Sequence, residues 1–164
     1  MNDRSTPPRP RQLDSPVLPR IFKHVGRCQV WLYRRTGGRI GGTWRIGAGF
    51  RKPVPTLLLE HRGRRSSTVY TTPLLYIEDG ADVVVVASQG GLPKHPQWYR
   101  NLCANPDARV QIRRRCSDVT AETAGPEQRA RLWPLLVDAY ADFDTYQSWT
   151  EREIPVVVLR RRAG

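Results

Sequence analysis

The sequence predicts a small barrel of the α+β class, and three observations carry that prediction. Short runs rich in Val, Leu, Ile and Thr recur at 56–61, 69–77, 82–88, 109–116 and 154–159, each about the length of one strand. Glu78-Asp79-Gly80 between two of them is a hairpin turn in which Gly80 is free to take a positive φ. Helical periodicity is confined to the flanks, so helices are added to a mostly antiparallel sheet rather than alternating with its strands. With 164 residues the chain fits one domain that can bury a real core.

Residues 1–19 are rich in Pro, Ser and Arg without apolar periodicity and read as a mobile tail. Over 20–36, Ile21, Phe22, Val25, Cys28, Trp31 and Leu32 recur at intervals of three and four, with Arg20, Lys23 and Arg27 interleaved. That spacing predicts an amphipathic basic helix packed on the domain by its apolar stripe, a helix that could also rest on an anionic membrane surface. The domain proper spans 37–164 and begins with six glycines in 37–50, too many for a helix interior and without the GK[ST] of a nucleotide loop, so a flexible loop or lid is expected. A helix starts at a proline after the Gly90-Gly91 turn and stops at Asn105-Pro106. A second, over 127–140, carries Leu132, Trp133, Leu136, Val137 and Tyr140 on one side, and Pro134 is expected to kink or interrupt it.

Charge is distributed unevenly. Residues 1–59 hold twelve Lys and Arg against Asp3 and Asp14, whereas the rest of the chain is close to neutral, and no acidic residue falls between Ser15 and Leu59. Such a field attracts nucleic acid, anionic lipid or a polyanionic small molecule. No recognisable nucleic-acid reading motif accompanies it, so specific binding to nucleic acid is not expected. No apolar run approaches the roughly 18 residues of a membrane span. Cys28, Cys103 and Cys116 form no CxxC pair, and His24, His61 and His95 are scattered, which points to reduced thiols in the cytosol and to no metal site.

Chemistry concentrates in two segments. In 87–91 a strand of four valines runs into Ala87, Ser88, Gln89, Gly90 and Gly91, and backbone N–H groups beside a helix start, with Lys94 nearby, suit an anion. In 63–67 Arg64, Arg65, Ser66 and Ser67 gather two guanidinium groups and two hydroxyls that can grip a phosphate. Trp98 and Asn101 lie on the intervening helix, where an amide can fix the polar edge of a ring, and Tyr140, Phe143, Tyr146 and Trp149 form an aromatic stripe that is either core or the wall of a pocket for a flat ligand. No GxSxG, Cys–His pair or obvious carboxylate pair is present. A phosphate cradle with aromatic walls and few acid–base groups fits hydride chemistry borne by a cofactor.

GRRSS at 63–67, the run TTPLLYIEDGADVVVVASQGGLPKHPQWYRNLCANPDARVQI and the late YQSWTEREIPVVV closely resemble the deazaflavin-dependent nitroreductase family of actinobacteria, over about 40–159. The resemblance implies a split β-barrel and reduced coenzyme F420 as hydride donor. It also implies quinones, menaquinone-like, as physiological acceptors, nitroaromatic compounds as adventitious ones, and membrane association in some members. It places Arg64, Arg65 and Ser66 near the cofactor phosphate, and Pro73, Leu74, Ala87, Ser88, Gln89, Gly90, Gly91, Lys94, Trp98 and Asn101 along the cofactor. Ser88, Tyr140 and Tyr146 fall at the reacting end, with Leu75 and Phe143 completing the acceptor pocket. The chain departs from the family at Phe143 and Leu75, where tyrosines are usual, and at Tyr70 and Gln89, where basic residues are usual. These departures remove hydroxyls from the acceptor pocket and charge from the cofactor-tail site, which counts against nitroimidazole reduction more than against cofactor binding. Two other readings stay open at this level: the same arginines would suit the phosphate of flavin mononucleotide, and a non-catalytic deazaflavin carrier would need the same cradle. Oligomeric state is open as well.

Overall fold

The computed structural model describes residues 18–44 and 53–162, with side chains considered from residue 26 onward apart from Trp44. The tail predicted for 1–19 lies almost wholly outside the described residues, as does the latter part of the glycine-rich segment. The described elements are α1 (Leu18–Thr36), β1 (Thr43–Trp44), β2 (Val54–Arg62), β3 (Val69–Asp79), β4 (Asp82–Val86), α2 (Gln97–Ala104), β5 (Asp107–Ile112), β6 (Arg115–Thr123), α3 (Pro126–Ala139), α4 (Asp142–Ser148) and β7 (Val156–Arg161).

Six antiparallel strands run in the order β2-β3-β4-β7-β6-β5, and β5 pairs back onto β2, closing the sheet into a barrel. Leu58 faces Pro73 of β3 on one side and Gln111 of β5 on the other. β1 adds two residues at the margin, opposite Val54 and Pro55. The valine runs explain how the core divides. On β4, Val83 and Val85 point into the barrel with Leu57, Leu59, Val110, Val119, Val157 and Leu159. Val84 and Val86 point outward and are covered by Leu132, Leu136 and Phe143 of α3 and α4 together with Val156 and Val158. Both faces of β4 and β7 are buried, so these strands read as unbroken apolar runs rather than alternating ones.

Three expectations need correction. Residues 109–116 are not one strand but a hairpin, β5 and β6 joined at Arg113-Arg114, and β6 extends to Thr123. The turn hides from sequence because it uses no Gly or Asn: Arg113 adopts φ 55, and its N–H donates to the Tyr33 hydroxyl at 2.8 Å, a bond that comes from 80 residues away. α3 runs without a break through Pro134 and ends at Ala139. Finally, α1 forms over Leu18–Thr36, and at the end where its side chains are described the buried residue is not one of the predicted stripe. Cys28 and Trp31 of the apolar stripe are exposed, Trp31 by 62%, while Tyr33 is completely buried.

Tyr33 explains that rotation. Its hydroxyl donates to the Thr56 carbonyl at 3.0 Å and accepts from Arg113, joining α1 to β2 and to the β5–β6 turn. Gly38 completes the contact at φ 76, since a Cβ there would lie 3.1 Å from the Arg113 Cα and from the Tyr33 ring. Replacing Tyr33 by Phe would leave the buried Thr56 carbonyl and the part-buried Arg113 N–H without this partner, a loss of about 1–3 kcal/mol. Urea unfolding of Tyr33→Phe is expected to show a lower midpoint at an unchanged slope; an unaltered midpoint would mean that α1 is held by something else.

Candidate functional site

One end of the barrel opens into a cavity of about 400 Å³ between β2, β3, the turn after β4, α2 and α4. It gathers Pro73, Leu74, Leu75, Ser88, Gln89, Gly90, Trp98, Tyr140, Phe143 and Tyr146, all named from sequence. Gln29, Thr56, Val86 and Pro96 line it as well and were not foreseen. Ala87 has no exposed surface: its N–H donates to the Pro155 carbonyl and its own carbonyl accepts from Arg152. Gly91 is buried behind the turn, and Arg64, Arg65, Ser66 and Lys94 lie outside the cavity lining. A wider groove of about 1540 Å³, edged by Arg39, Arg113, Arg114, Arg115 and Arg161, contains none of the predicted site residues.

The turn after β4 has an uncommon backbone. Ser88 is right-handed at φ −70 and ψ −43, and Gln89, Gly90 and Gly91 then take φ values of 46, 61 and 73. A right-handed residue followed by left-handed ones turns successive N–H groups toward one concavity, an anion-binding nest. The N–H groups of Gly91 and Leu92 close the turn onto Ser88 and Gln89. Those of Ser88, Gln89 and Gly90 make no bond to a backbone carbonyl among the described residues, and in this backbone class they are the three that line the concavity. At Gly91 no side chain fits, because a Cβ would come within 2.7 Å of the Tyr146 carbonyl oxygen. That close approach fixes the distance between the nest and the aromatic helix α4.

Asn101 does something other than the ring contact expected of it. It is only 5% exposed and both ends of its amide are engaged. Oδ1 accepts from the Arg64 backbone N–H at 3.2 Å and from the Arg64 guanidinium at 3.1 Å, while Nδ2 donates to His61 Nδ1 at 3.2 Å. Since Nδ2 can only donate, His61 is neutral with its proton on Nε2, which donates to Thr72 Oγ1 at 3.1 Å. Burial lowers the His61 pKa to about 4, in accord with that tautomer. Gln97 Oε1 accepts a further bond from Arg64 at 2.7 Å. Arg64 is therefore held in place at the start of α2, its pKa lowered by burial and then by the charges of Arg100 and Arg65. Three like charges converge there, as an anion would require.

Tyr140 caps α3 and Tyr146 lies on α4, their hydroxyls 3.3 Å apart. Burial pushes the Tyr140 pKa far up, with Tyr146 and the buried Asp142 adding to it, and Tyr146 is raised by burial too. Phe143 packs edge-on against Tyr140, with ring centres 5.1 Å apart. At the other end of the cavity Thr56 is 3% exposed, and its Oγ1 has no hydrogen-bond partner, a buried polar atom available to a ligand. Apart from Gln29 and the nest residues, the rest of the lining is apolar. Such a cavity suits a flat ligand held at its polar rim, with an amide nest on one side, two protonated phenols on another and a guanidinium cluster outside. His61, Thr56 and Arg152 escaped the sequence reading because isolated His, Thr and Arg residues carry no local signal.

Comparison with known proteins identifies relatives of this arrangement. A family model described as F420H(2)-dependent quinone reductase matches residues 25–161. Rv3178 of Mycobacterium tuberculosis (strain ATCC 25618 / H37Rv) is 61% identical over 118 residues, which cover 72% of this chain and 99% of the relative. The F420H(2)-dependent quinone reductase Rv1261c of the same strain is 42% identical over 149 residues, covering 87% of this chain and 96% of the relative. Among solved structures, an F420-H2 dependent reductase (FDR-A) is similar with a TM-score of 0.61 and 38% identity, covering 65% of this chain and 94% of that one. A solved domain-swapped dimer has a TM-score of 0.62 and 30% identity, covering 87% and 99%. HutZ from Vibrio cholerae, at 11% identity and a TM-score of 0.52 over 66% of this chain and 82% of its own, shares the fold alone.

The state of His61 has a measurable consequence. The folded protein keeps it neutral down to about pH 4, whereas an unfolded chain takes up the proton near 6.5. Its contribution to stability is therefore intact above pH 6.5 and declines as the pH falls toward 4. His61→Gln is expected to flatten that part of the stability–pH profile in denaturant titrations between pH 7 and 5. Parallel profiles for the two proteins would show that His61 is not buried in the neutral form.

Proposed function

Because the chain belongs to the family of F420H(2)-dependent quinone reductases, we propose that its cavity seats reduced coenzyme F420 against the Ser88–Gly90 nest and admits the quinone beneath Tyr140, Phe143 and Tyr146. The observation that carries this reading is the coincidence, in one cavity, of the nest, the unpartnered Thr56 hydroxyl and an aromatic wall. The donor set fits a flat heterocycle: amides and a hydroxyl for its polar edge, Pro73, Leu74 and Trp98 for its faces. Arg64, with Arg65 and Arg100 behind it and Lys94 on the adjoining loop, would hold the coenzyme's phosphate, and Asn101 and His61 keep Arg64 in position.

Reduced F420, when bound, supplies a hydride, and the quinone takes it up. The chain supplies position and shielding. Apolar walls exclude water from the reacting faces, and holding two reactants in register provides most of the acceleration such a reaction needs. Ser88 stands at the mouth of the nest, where its hydroxyl can steady an acceptor oxygen. The raised pKa values of Tyr140 and Tyr146 keep both phenols protonated well beyond neutral pH, so the pair acts as a hydrogen-bond donor to a quinone oxygen. Nitroaromatic compounds would use the same wall less well, since Leu75 and Phe143 present no hydroxyl to a nitro group.

No helix among the described residues is long and apolar enough to cross a membrane. The outward face of α1 still supports peripheral contact with an anionic membrane. Trp31 and Cys28 are exposed together with Arg27, Arg34 and Arg35, while Gln29 on the opposite face lines the cavity. A helix so placed would lie between the lipid surface and the cavity, with each basic side chain near the surface contributing about 1 kcal/mol.

Mixing the protein with reduced F420 and a menaquinone analogue is expected to give acceptor-dependent recovery of the oxidised coenzyme's absorbance. Binding without oxidation would make the protein a carrier. Tyr146→Phe should lower turnover by about tenfold or more, and the wild-type rate should stay flat from pH 7 to 9.5 because neither phenol ionises there. If Tyr146→Phe turns over quinone as wild type does at every pH, the phenol has no part in the reaction. Sedimentation with phosphatidylglycerol vesicles should carry the protein down at low salt and release it at high salt, with weaker binding by Trp31→Ser; equal binding to neutral vesicles would argue against this orientation of α1.

A further inference from the structure

Arg152 lies on the loop between α4 and β7, in the segment TEREIP, and does not line the cavity. Its side chain nevertheless makes four bonds to the loop that does. One terminal nitrogen donates to the Ser88 carbonyl at 2.8 Å and the Ala87 carbonyl at 3.2 Å, Nε donates to the Leu92 carbonyl at 2.9 Å, and the other terminal nitrogen donates to His95 Nδ1 at 3.1 Å. The acceptors bracket the nest: 87 and 88 precede its left-handed residues, 92 follows them, and 95 leads into α2. No carboxylate among the described residues pairs with this guanidinium, unlike Arg34, Arg109, Arg129, Arg131, Arg160 and Arg162. Half-buried as it is, it is satisfied by carbonyl oxygens and an imidazole.

We infer that Arg152 is a positioning residue for the coenzyme, setting the shape and the polarity of the Ser88–Gly90 nest from behind; the inference rests on the assignment of that nest to F420. A peptide unit whose carbonyl is bound by a cation presents its own N–H as a stronger donor, and a hydrogen-bonded chain is polarised along its length. Binding the Ala87 and Ser88 carbonyls therefore acts on the peptide N–H groups of Ser88 and Gln89, two of the three that face the nest. The same four bonds hold Gln89 at φ 46, a left-handed conformation that a non-glycine residue adopts only when its surroundings enforce it. A guanidinium without a paired carboxylate also adds to the field at the rim, favouring an electron-rich edge over a neutral one.

The brace extends to the acceptor wall. The Gln147 side chain on α4 donates to the Arg152 carbonyl at 2.9 Å and accepts from the Ile154 N–H at 2.8 Å, so the backbone bearing Arg152 is tied to the helix bearing Phe143 and Tyr146. The nest and the aromatic wall are thus tied a second time through this residue, beside the direct approach of Gly91 to Tyr146. A lysine could keep the charge but could not reach four acceptors from one planar group.

Equilibrium titration with F420 and steady-state kinetics on wild type, Arg152→Lys and Arg152→Ala test this. Wild type must first bind F420 and oxidise its reduced form with a quinone; if it does not, the assignment of the nest fails, and this inference fails with it for that separate reason. With wild type active, Arg152→Ala is expected to bind F420 about 30-fold more weakly, a loss of the size of one charge-assisted bond. Arg152→Lys should fall between, and the Michaelis constant for quinone should change far less than that for F420. Millimolar methylguanidinium should restore part of the F420 affinity of Arg152→Ala and none to wild type. Unchanged F420 affinity in a folded Arg152→Ala would overturn the inference. So would equal loss of F420 and quinone affinity with no methylguanidinium rescue, and, should the alanine variant not fold, full F420 affinity in Arg152→Lys.

Discussion

β2 is the strand on which everything else in the molecule is placed, because it pairs along both of its edges. Leu58, Leu59 and Glu60 bond to β3 on one side and to β5 on the other, and this double pairing turns a meander into a closed barrel with no free edge at that position. Closure fixes what lies at each end of the strand. Thr56 at one end lines the cavity and receives the Tyr33 bond through its carbonyl. His61 near the other end meets Asn101, and the turn that follows carries Arg64. In the proposed mode the coenzyme's ring and phosphate would lie toward the two ends of a single nine-residue strand, whose length would set the distance between them.

A consequence is that the site is built largely from backbone. The nest offers N–H groups, Arg152 takes carbonyls, Gly91 is chosen for what it lacks, and Asn101 spends its amide on Arg64 and His61. Side chains that meet the ligand directly are mostly apolar or phenolic. This division suits hydride transfer, in which the protein needs no nucleophile and no strong acid, only alignment and the exclusion of water. It also explains why conventional catalytic motifs are missing from the sequence without the site being poor in chemistry.

How much of this was legible in the sequence follows from which interactions are local. Val83 to Val86 and Val156 to Leu159 announced strands buried on both faces, and Gly80 announced a hairpin, because strand burial and turn geometry act within a few residues. The aromatic spacing of Tyr140, Phe143 and Tyr146 survived as a wall even though a helix break falls between the first two. The Arg113-Arg114 turn did not show, since its left-handed residue is held by Tyr33, and neither did the outward rotation of Trp31, which follows from burying Tyr33. His61 and Arg152 were invisible for the same reason: their partners lie 40 residues away in one case and about 60 in the other. Local chemistry names the walls of the cavity, and long-range bonds decide what holds them.

The electrostatic arrangement carries the argument one step further. Positive charge surrounds the cavity in two places, with Arg64, Arg65 and Arg100 beyond one rim and Arg152 beneath the nest, yet the lining itself holds no ionisable group except the tyrosines, and these stay neutral. In the proposed mode an anionic coenzyme would be drawn and oriented by charges it does not have to approach through the reacting faces, and a neutral acceptor would meet a mostly apolar and phenolic surface. Long-range Coulomb forces then act on one reactant and short-range packing on the other. In the proposed binding mode, such a separation would let the acceptor wall vary, at Leu75 and Phe143 for instance, without disturbing the half of the site assigned to the coenzyme.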